Sequence, residues 1–327
     1  MLLMALLSAC NGCRPKLPGP VDTHPEKTDT APDPIDSADS VPNIDTAPEP
    51  PCPVVEVEPN DGIAVAQELP LQTWSCGTFS YFLDSEWLVV TPNQSGEGTT
   101  PENTPWMTVR VEAASRGSSA NPQILLVTED ESVLKTGDYL TTDPRLSFPV
   151  PRIEQYQIDL AESDLLYGED YGWYMMASLD KAPVTWQFEE VEDGDDPYTA
   201  DVVETSNDTR AGAQTFHLNE TVFGTIGEAD DFDWYKVSIP EEGEFTLVFN
   251  VDAFLYGSAA DISIWVYDAD GNRTDQKPNG RTDGDLDSWL EKKVAGPIEL
   301  YVYVFDQDGK GSRFHWYTLS ITATADE

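Results

Sequence analysis

The sequence predicts an all-β protein in which two tandem antiparallel β-sandwich domains follow a disordered N-terminal tether. From Val54 onward, short runs that alternate apolar and polar residues are separated by Gly, Asn, Asp and Pro, which is typical of antiparallel strands. Each half of this region offers about seven such runs and no long helical pattern, which favours a sandwich. The second half also repeats the first.

The repeat is clearest between residues 77–90 and residues 224–237. Eleven residues of the first half return at one fixed spacing without a gap. They are Asn60, Asp61, Ala64, Ala66, Gln67, Leu71, Gly77, Thr78, Asp84, Trp87 and Val90, and they return as Asn207, Asp208, Ala211, Ala213, Gln214, Leu218, Gly224, Thr225, Asp231, Trp234 and Val237. Agreement of this length indicates a duplicated domain.

These patterns place a first domain at 54–191, a linker at 192–201 and a second domain at 202–324. The linker is acidic and short, so it allows hinge motion without wide separation. A helical turn is predicted at 63–67 and another at 210–214. Strands are predicted at 73–79, 86–90, 107–113, 123–128, 154–160, 173–179 and 184–189, and then at 222–226, 234–239, 244–251, 261–267, 288–294, 298–305 and 314–322.

The chain begins with a short apolar run, residues 1–9, that suits the core of a signal peptide. It ends in Leu7-Ser8-Ala9-Cys10, which resembles the lipobox of bacterial lipoproteins and implies a lipid on Cys10. Residues 10–53 are rich in Thr, Asp, Pro and Ser and predict a disordered tether. We expect a protein of the cell envelope, anchored by lipid and, because Asn11 follows the cysteine, in the outer membrane. The alternative is a frayed hydrophobic terminus.

Eighteen basic against sixty acidic residues give a net charge of -42. Binding to nucleic acid requires Lys or Arg to displace counterions, so this charge argues against a nucleic-acid partner. It favours cations, basic partners or neutral ligands. The alternative reading is that the acidity only keeps the protein soluble.

Four cysteines are present, and Cys10 is assigned to lipid. Cys52 and Cys76 bracket the start of the first domain, and a disulfide between them would join the tether to a strand. Cys76 aligns with Phe223, however, so a buried thiol is the alternative. Cys13 would then be unpaired.

Support for catalysis is weak. His217 and His315 have no counterpart in the first half, and His24 lies in the tether. No zinc motif of the His-Glu-x-x-His type, no Gly-x-Ser-x-Gly elbow and no phosphate-binding loop is present. We expect a protein that is not an enzyme, with a hydrolase based on paired carboxylates as an alternative.

Calcium is the cofactor that the repeated oxygens favour, since it takes six to eight oxygen ligands. The candidate ligands are Glu58, Asn60, Asp61 and Asp84 in the first half, and Glu204, Asn207, Asp208 and Asp231 in the second. The alternative is that the Asn-Asp pairs cap the helical turns and the later aspartates end hairpins. Two further acidic loops, 268–272 and 306–310, are predicted to be Asp-Gly hairpin turns.

Two repeated tryptophans, Trp87 and Trp234, are candidate ligand contacts. Alternation along the strand places Tyr235 and Val237 on one face and Trp234 on the other. An outward tryptophan stacks on a sugar ring or packs against a protein partner. The alternative is that the first segment of its own domain covers it.

The motif Glu58-Pro-Asn-Asp, followed by Ala64, Ala66 and Gly77-Thr, resembles the bacterial pre-peptidase C-terminal (PPC) domain family. Asp231-Phe-Asp-Trp-Tyr and Tyr317-Thr-Leu-Ser-Ile extend the resemblance, which covers most of 54–324 as two copies. The resemblance implies jelly-roll-like sandwiches. In the related collagen-binding domains of clostridial collagenases, calcium is bound through the same kinds of residues, which implies the eight ligands named above.

No protease domain accompanies the two modules. The resemblance therefore suggests a non-enzymatic, lipid-anchored binding or adhesion protein whose tandem modules engage extracellular polysaccharide or protein, with avidity when both bind. The alternative is a structural or chaperone-like protein of envelope assembly.

Overall fold

The structure is a computed structural model that describes residues 52–96, 103–137, 143–190, 207–229, 231–277 and 287–326. All of these belong to one compact unit, Pro50–Glu327. The signal peptide, Cys10, Cys13, almost all of the tether and the linker 192–201 lie outside the described residues. Within the described ranges, no helix has the length and apolarity needed to cross a membrane.

The first half forms two five-stranded sheets that enclose one core. Its strands are β1 (Val54–Val55), β2 (Gln67–Glu68), β3 (Ser75–Thr78), β4 (Ser85–Val90), β5 (Trp106–Glu112), β6 (Pro122–Val127), β7 (Ser132–Thr136), β8 (Arg145–Pro149), β9 (Tyr156–Glu162) and β10 (Gly172–Asp180). One sheet has the order β1-β3-β10-β5-β8 and the other β2-β4-β9-β6-β7. The alternating inner residues of both, such as Val109 and Ile124, belong to one apolar cluster.

The described residues of the second half form eight strands. They are β11 (Phe188–Glu189), β12 (Gln214–Phe216), β13 (Thr221–Thr225), β14 (Asp233–Asp252), β15 (Ile262–Asp268), β16 (Arg273–Lys277), β17 (Trp289–Asp306) and β18 (Trp316–Ala325). The strands β14 and β17 are long enough to contribute to both layers. Their register shifts between Ile239 and Gly243, which is where the chain passes from one layer to the other.

Strand order is the same in the two halves. Residues 233–239 of β14 take the place of β4, and residues 243–252 take the place of β5. The strand β17 replaces β8 and β9 in the same way, and β11, β12, β13, β15, β16 and β18 correspond to β1, β2, β3, β6, β7 and β10.

The described residues form strands joined by loops and single 3-10 turns, which confirms the prediction of an all-β fold.

One predicted strand belongs to the other half. Residues 184–189 were expected to end the first domain, but only Phe188–Glu189 is a strand, and it pairs in parallel with Val222 and Phe223. The second sandwich thus begins before the expected linker. Strand pairing assigns β11 to the second half, because β11 lies beside β13 as β1 lies beside β3 in the first half.

Other differences concern lengths and turns. The helical turns are single 3-10 turns, Ile63–Val65 and Arg210–Gly212. The loop after Asp268 is a hairpin between β15 and β16, as predicted. The loop after Asp306 is not a hairpin, because β17 and β18 both pair with β14 and not with each other. Its aspartate instead accepts hydrogen bonds from the backbone N–H groups of Asp308 (2.9 Å) and Lys310 (3.2 Å).

The two sandwiches share a buried interface. Trp316 packs edge-on against Trp106 with ring centroids 5.0 Å apart, and its Nε1 donates to the carbonyl oxygen of Ser147 at 2.7 Å. Buried Arg313 of the second half pairs with Glu131 (2.5 Å) and Glu154 (2.7 Å) of the first. Hinge motion was expected from the length of the linker alone, and that expectation did not consider these contacts between the sandwiches.

Candidate metal site

The segment that follows β1 crosses the end of β3 and the start of β4. A disulfide joins Cys52 to Cys76, with the Cα atoms 6.1 Å apart, and the Glu56 N–H donates to the Cys76 carbonyl at 2.9 Å. Farther along, the Asn60 carbonyl accepts a hydrogen bond from the Trp87 N–H at 3.1 Å. The segment is therefore held against both sheets, and its acidic side chains meet those at the start of β4.

Two groups of three carboxylates form here. Glu56, Glu58 and Glu86 make one group, and Glu58, Asp61 and Asp84 the other, with ligand oxygens within 4.8 Å of one another in each. Among the described residues, these are the two groups of three or more acidic, histidine or cysteine side chains that lie close enough together to hold a metal ion. Three predicted ligands, Glu58, Asp61 and Asp84, are thus brought together.

The buried oxygens of this cluster are incompletely satisfied. Asn60 is 1% exposed, Asp84 4% and Glu86 0%. One oxygen of each lacks a hydrogen-bond partner among the described residues: Asn60 Oδ1, Asp84 Oδ1 and Glu86 Oε1, together with Glu56 Oε2. Since buried polar atoms are nearly always paired, four such oxygens in one place make this cluster a candidate cation site.

The remaining hydrogen bonds orient these side chains. Asn60 Nδ2 donates to Glu86 Oε2 at 2.8 Å, which turns Asn60 Oδ1 away from that carboxylate. The Asn60 N–H donates to Glu58 Oε2 at 3.1 Å. The Tyr81 hydroxyl donates to Asp61, and the Ser80 N–H donates to Asp84. These bonds orient Asn60, Asp61 and Asp84, and the Glu56 and Glu86 carboxyl groups also interact with each other.

The electrostatics also favour a cation. Burial, and then the charge of Glu56, raise the pKa of Glu86 to about 9. Burial also raises the pKa values of Glu56, Glu58 and Asp84, and neighbouring carboxylates add to each rise. Without a cation the cluster holds at least one proton near neutral pH. A divalent cation would remove the repulsion that causes these shifts.

A glycine that recurs in both halves makes room for the outermost glutamate. A Cβ on Gly77 would overlap the Glu56 carboxylate and the ring of Trp173. The Thr78 N–H donates to Glu56 Oε1 at 3.1 Å, so the carboxylate lies flat over the Gly77-Thr78 backbone. The recurrence of Gly-Thr in both halves thus has a local cause, which is the carboxylate that packs on it.

The second half contains a related cluster with different chemistry. Asn207 and Asp233 are fully buried, and Asp231 is 8% exposed. The Glu190 carboxylate accepts from the Thr225 N–H and lies over Gly224, as Glu56 does over Gly77. Burial raises the pKa of Asp231 to about 6. Burial, and then the charge of Asp231, also raise the pKa of Asp233 well above its ordinary value.

A tyrosine replaces a tryptophan in this second cluster. Tyr317 stands opposite Gly224 where Trp173 stands opposite Gly77. The Tyr317 hydroxyl donates to Asp233 Oδ2 at 2.6 Å and also lies 2.6 Å from the hydroxyl of Tyr235. A neutral donor thus supplies part of what a cation would supply. Asp208 is exposed, and Glu204 lies outside the described residues.

Four acidic residues of these clusters were not predicted as ligands: Glu56, Glu86, Glu190 and Asp233. Glu86 aligns with Asp233, so the carboxyl group recurs even though the residue type changes. Glu56 lies two residues before Glu58, a spacing that puts both on one side of an extended segment. Both signals were present in the sequence.

The donor set fits calcium better than zinc or another soft metal. It contains carboxylate and amide oxygens only, from up to six residues, which is the number that calcium requires. The residues that would hold the ion are Glu56, Glu58, Asn60, Asp61, Asp84 and Glu86.

A serine and a histidine also lie close together, in the loop before β18. Ser312 Oγ is 2.9 Å from His315 Nδ1. The same serine oxygen accepts from the Phe314 N–H at 3.2 Å, and the His315 N–H donates to the Ser312 carbonyl at 2.8 Å. Burial lowers the pKa of His315 to about 4. We interpret this pair as part of the hydrogen bonding that stabilises a local turn.

The two predicted ligand-contact tryptophans differ in their surroundings. Trp87 and Trp234 are both partly buried and point away from their cores. Trp87 is paired across the sheet with Asp159. Trp234 contacts Tyr303 and Tyr267, with ring centroids 4.8 and 5.1 Å apart.

No protein-family model matches the chain, and no curated protein matches it. Among solved structures, the pre-peptidase C-terminal domain of a collagenase from Bacillus anthracis is similar at 18% identity over 34% of this chain and 94% of that one, with a TM-score of 0.26. The M60 catalytic domain with two CBM51 domains of Clostridium perfringens ZmpB is similar at 11% identity, 74% and 33% coverage and a TM-score of 0.21. The CUB1-EGF-CUB2 region of rat MASP-1 is similar at 12% identity, 79% and 99% coverage and a TM-score of 0.20. These neighbours are of β-sandwich type, as this chain is.

Proposed function

We propose that this chain is a non-enzymatic, lipid-anchored extracytoplasmic binding protein, built from two PPC-like sandwiches of which the first holds a structural calcium ion. The observation that carries the proposal is the set of buried oxygens without hydrogen-bond partners: Glu56 Oε2, Asn60 Oδ1, Asp84 Oδ1 and Glu86 Oε1. Such a set is costly unless a cation binds it.

The strand order supports the two-copy part of the proposal. Both halves place the same ten strand segments in the same order, and each sets an asparagine carbonyl against the tryptophan N–H of the next long strand. In the first half this bond joins Asn60 to Trp87 at 3.1 Å, and in the second it joins Asn207 to Trp234 at 2.8 Å. A shared ancestor explains both the topology and this local detail.

The ion's role would be structural. It would join the segment after β1 to β4 and neutralise acids that otherwise repel one another. In the second half two buried oxygens, Asn207 Oδ1 and Asp233 Oδ1, lack a partner among the described residues, against four in the first half. The hydroxyl of Tyr317 already donates to Asp233, so the need for a cation is smaller. We therefore assign calcium to the first half.

The lipid anchor and the envelope location rest on the lipobox resemblance of Cys10 and on the composition of residues 10–53. A tether of that length would hold the sandwiches away from a membrane. Mass spectrometry of the mature N-terminus tests this part of the proposal. A Cys10 without lipid, or a chain that still begins at Met1, would contradict it.

Calorimetry of the full chain tests the calcium site. Calcium added after EDTA treatment should raise the melting temperature, with a stabilisation of about 3 kcal/mol at a hundredfold excess over Kd. Asp84→Asn should abolish the shift. The matched control is Asp231→Asn, which changes the corresponding aspartate of the second half and should leave the shift intact. Equal melting curves in EDTA and in calcium would reject the site.

A further inference from the structure

The outer surface of one sheet in the second half carries a contiguous set of aromatic rings. They project from β14, β15 and β17 at positions that alternate with buried core residues. We call this surface the aromatic face, and its members are Trp234, Trp265, Tyr267, Tyr301, Tyr303 and Phe305. All six are partly exposed.

Five of the six rings are in mutual contact across three strands, and Tyr301 stands opposite Tyr267 in the pairing register. Tyr303 lies at the centre, with ring centroids 4.8 Å from Trp234, 5.5 Å from Trp265 and 5.2 Å from Phe305. The pairing register explains the arrangement, because Trp234, Tyr303 and Trp265 stand directly beside one another. The result is a broad, shallow apolar platform.

The first half shows that the fold does not need these rings. At the equivalent positions, the row Trp234, Tyr303 and Trp265 is replaced by Trp87, Asp159 and Leu125. The other equivalents are Val127 for Tyr267, Gln157 for Tyr301 and Ala161 for Phe305. One aromatic residue therefore occupies a surface where the second half has six. The same scaffold folds with either set, so the aromatic set calls for another explanation.

The charges of this face differ from those of the chain as a whole. Its outward strand positions carry one acid, Glu299, which is paired with Lys236 at 2.5 Å. The Arg273 guanidinium lies over the Trp265 ring at 4.7 Å, and that of Arg210 over Tyr301 at 4.6 Å. Among the described residues, neither arginine forms a salt bridge. In a protein of net charge -42, this is a locally cationic surface.

We propose that the aromatic face binds a polysaccharide whose sugars carry carboxylate groups. This inference rests on the proposed binding function and names its ligand class. The apolar faces of pyranose rings stack on Trp and Tyr, whose rings offer large contact area at a small cost in side-chain entropy. The cations supply the complementary charge for a uronic-acid carboxylate, and Arg273 has the planar donor geometry that matches it.

The net charge does not prevent such binding. At physiological ionic strength, exposed charges act over about 8 Å, so a ligand senses the cations of this face more than the acids elsewhere. A nucleic acid is a worse fit, because a phosphate backbone needs an extended row of cations. Sugar carboxylates on a stacked chain need only the few present here.

The test uses the full chain with polygalacturonate, and with the same polymer after its carboxyl groups have been reduced to alcohols. Affinity electrophoresis should show retardation by polygalacturonate, weakened at least about tenfold by Trp265→Leu or Tyr301→Gln, a loss in the range of one stacking contact. Both variants introduce residues that the first half tolerates at these positions. Arg273→Gln should reduce the affinity for polygalacturonate and leave that for the reduced polymer unchanged.

Trp87→Leu is the matched control, since it removes the aromatic residue of the first half's equivalent surface and should leave retardation unchanged. Absence of retardation by polygalacturonate would overturn the proposal, and so would equal retardation of the Trp265→Leu variant when its melting temperature matches wild type. Equal affinity for the reduced polymer would overturn the carboxylate assignment. The calcium-induced shift in melting temperature, measured on the same preparations, reports on the proposed function separately.

Discussion

The substitution Glu86→Gln separates the electrostatic cost of the acidic cluster from its capacity to bind calcium. Glu86 is fully buried, and its carboxyl pKa is raised to about 9 by burial and by Glu56. At pH 7 the folded state keeps Glu86 protonated, whereas an ordinary glutamate, with a pKa of 4.5, is ionised, and this difference costs the folded state about 3 kcal/mol. Glutamine keeps the acceptor for the Asn60 amide and removes the charge.

The direction of the pH dependence follows from the raised pKa. Below pH 4.5 the side chain is protonated in both the folded and the unfolded states, and its contribution to stability is fully present. As the pH rises toward 9, the unfolded state releases its proton first and stability is lost. In EDTA, the wild-type chain should therefore lose stability between pH 5 and pH 8, and Glu86→Gln should lose less by about 3 kcal/mol.

Urea unfolding monitored by tryptophan fluorescence, with and without calcium, measures these quantities. Glu86→Gln should be more stable than wild type in EDTA at pH 7 and should gain less from calcium. The control is Asp159→Asn, which removes a partly buried acid outside the cluster whose pKa burial raises to about 6. This control should also stabilise the chain in EDTA, yet gain as much from calcium as wild type. A Glu86→Gln chain that is less stable in EDTA, or that keeps the full calcium gain, would refute the reasoning.

Three further predictions concern the scaffold. Replacing both Cys52 and Cys76 by serine opens a loop of sequence separation 24 and should lower the free energy of unfolding by about 3 kcal/mol. Reductant should lower the stability of the wild-type chain by the same amount and should not change that of the double variant. Gly224→Ala should destabilise by more than about 2 kcal/mol because a buried glutamate and a tyrosine ring fill that space, whereas Gly62→Ala, with no atom within 4 Å, should be nearly neutral; a tolerated Gly224→Ala would contradict the packing. Arg313→Met should cost about 3 kcal/mol by leaving two glutamates of the first half without their cation, and the wild-type chain should unfold in one calorimetric transition; two separate transitions would contradict the interface.

The parts of this fold that the sequence predicted are those set by local pattern. Alternation of apolar and polar residues located most strands, and the identical spacing of Gly-Thr and Asp located the start of each domain. The two-residue strand β11 has no such pattern, and its place is decided only by pairing with Val222 and Phe223. The boundary between the domains was misplaced for this reason.

The acidic clusters show the same limit. Glu56 precedes Asn60 by a few residues, whereas Glu190 is separated from Asn207 by a long segment, so a gap-free comparison cannot align the two glutamates. The structure places both over a Gly-Thr backbone. Comparison by identity also counted Glu86 and Asp233 as a difference, although both supply a buried carboxylate. Chemical equivalence was the more informative criterion.

The aromatic face was beyond reach for a different reason. Alternation correctly placed Trp234 outside its core, but its neighbours Trp265 and Tyr303 come from strands far away in sequence. Only the register of three strands brings the rings together. A surface of this kind is a property of the pairing, and no single stretch of sequence contains it.

The strand β18 connects these separate features. Trp316 contacts the first sandwich through Trp106 and Ser147, and the next residue, Tyr317, points the other way and donates to Asp233 in the acidic cluster of its own sandwich. Because successive side chains of a strand face opposite sides, a shift of β18 by one residue would lose both contacts together. The interface and the hydrogen bond between Tyr317 and Asp233 are therefore specified by one register.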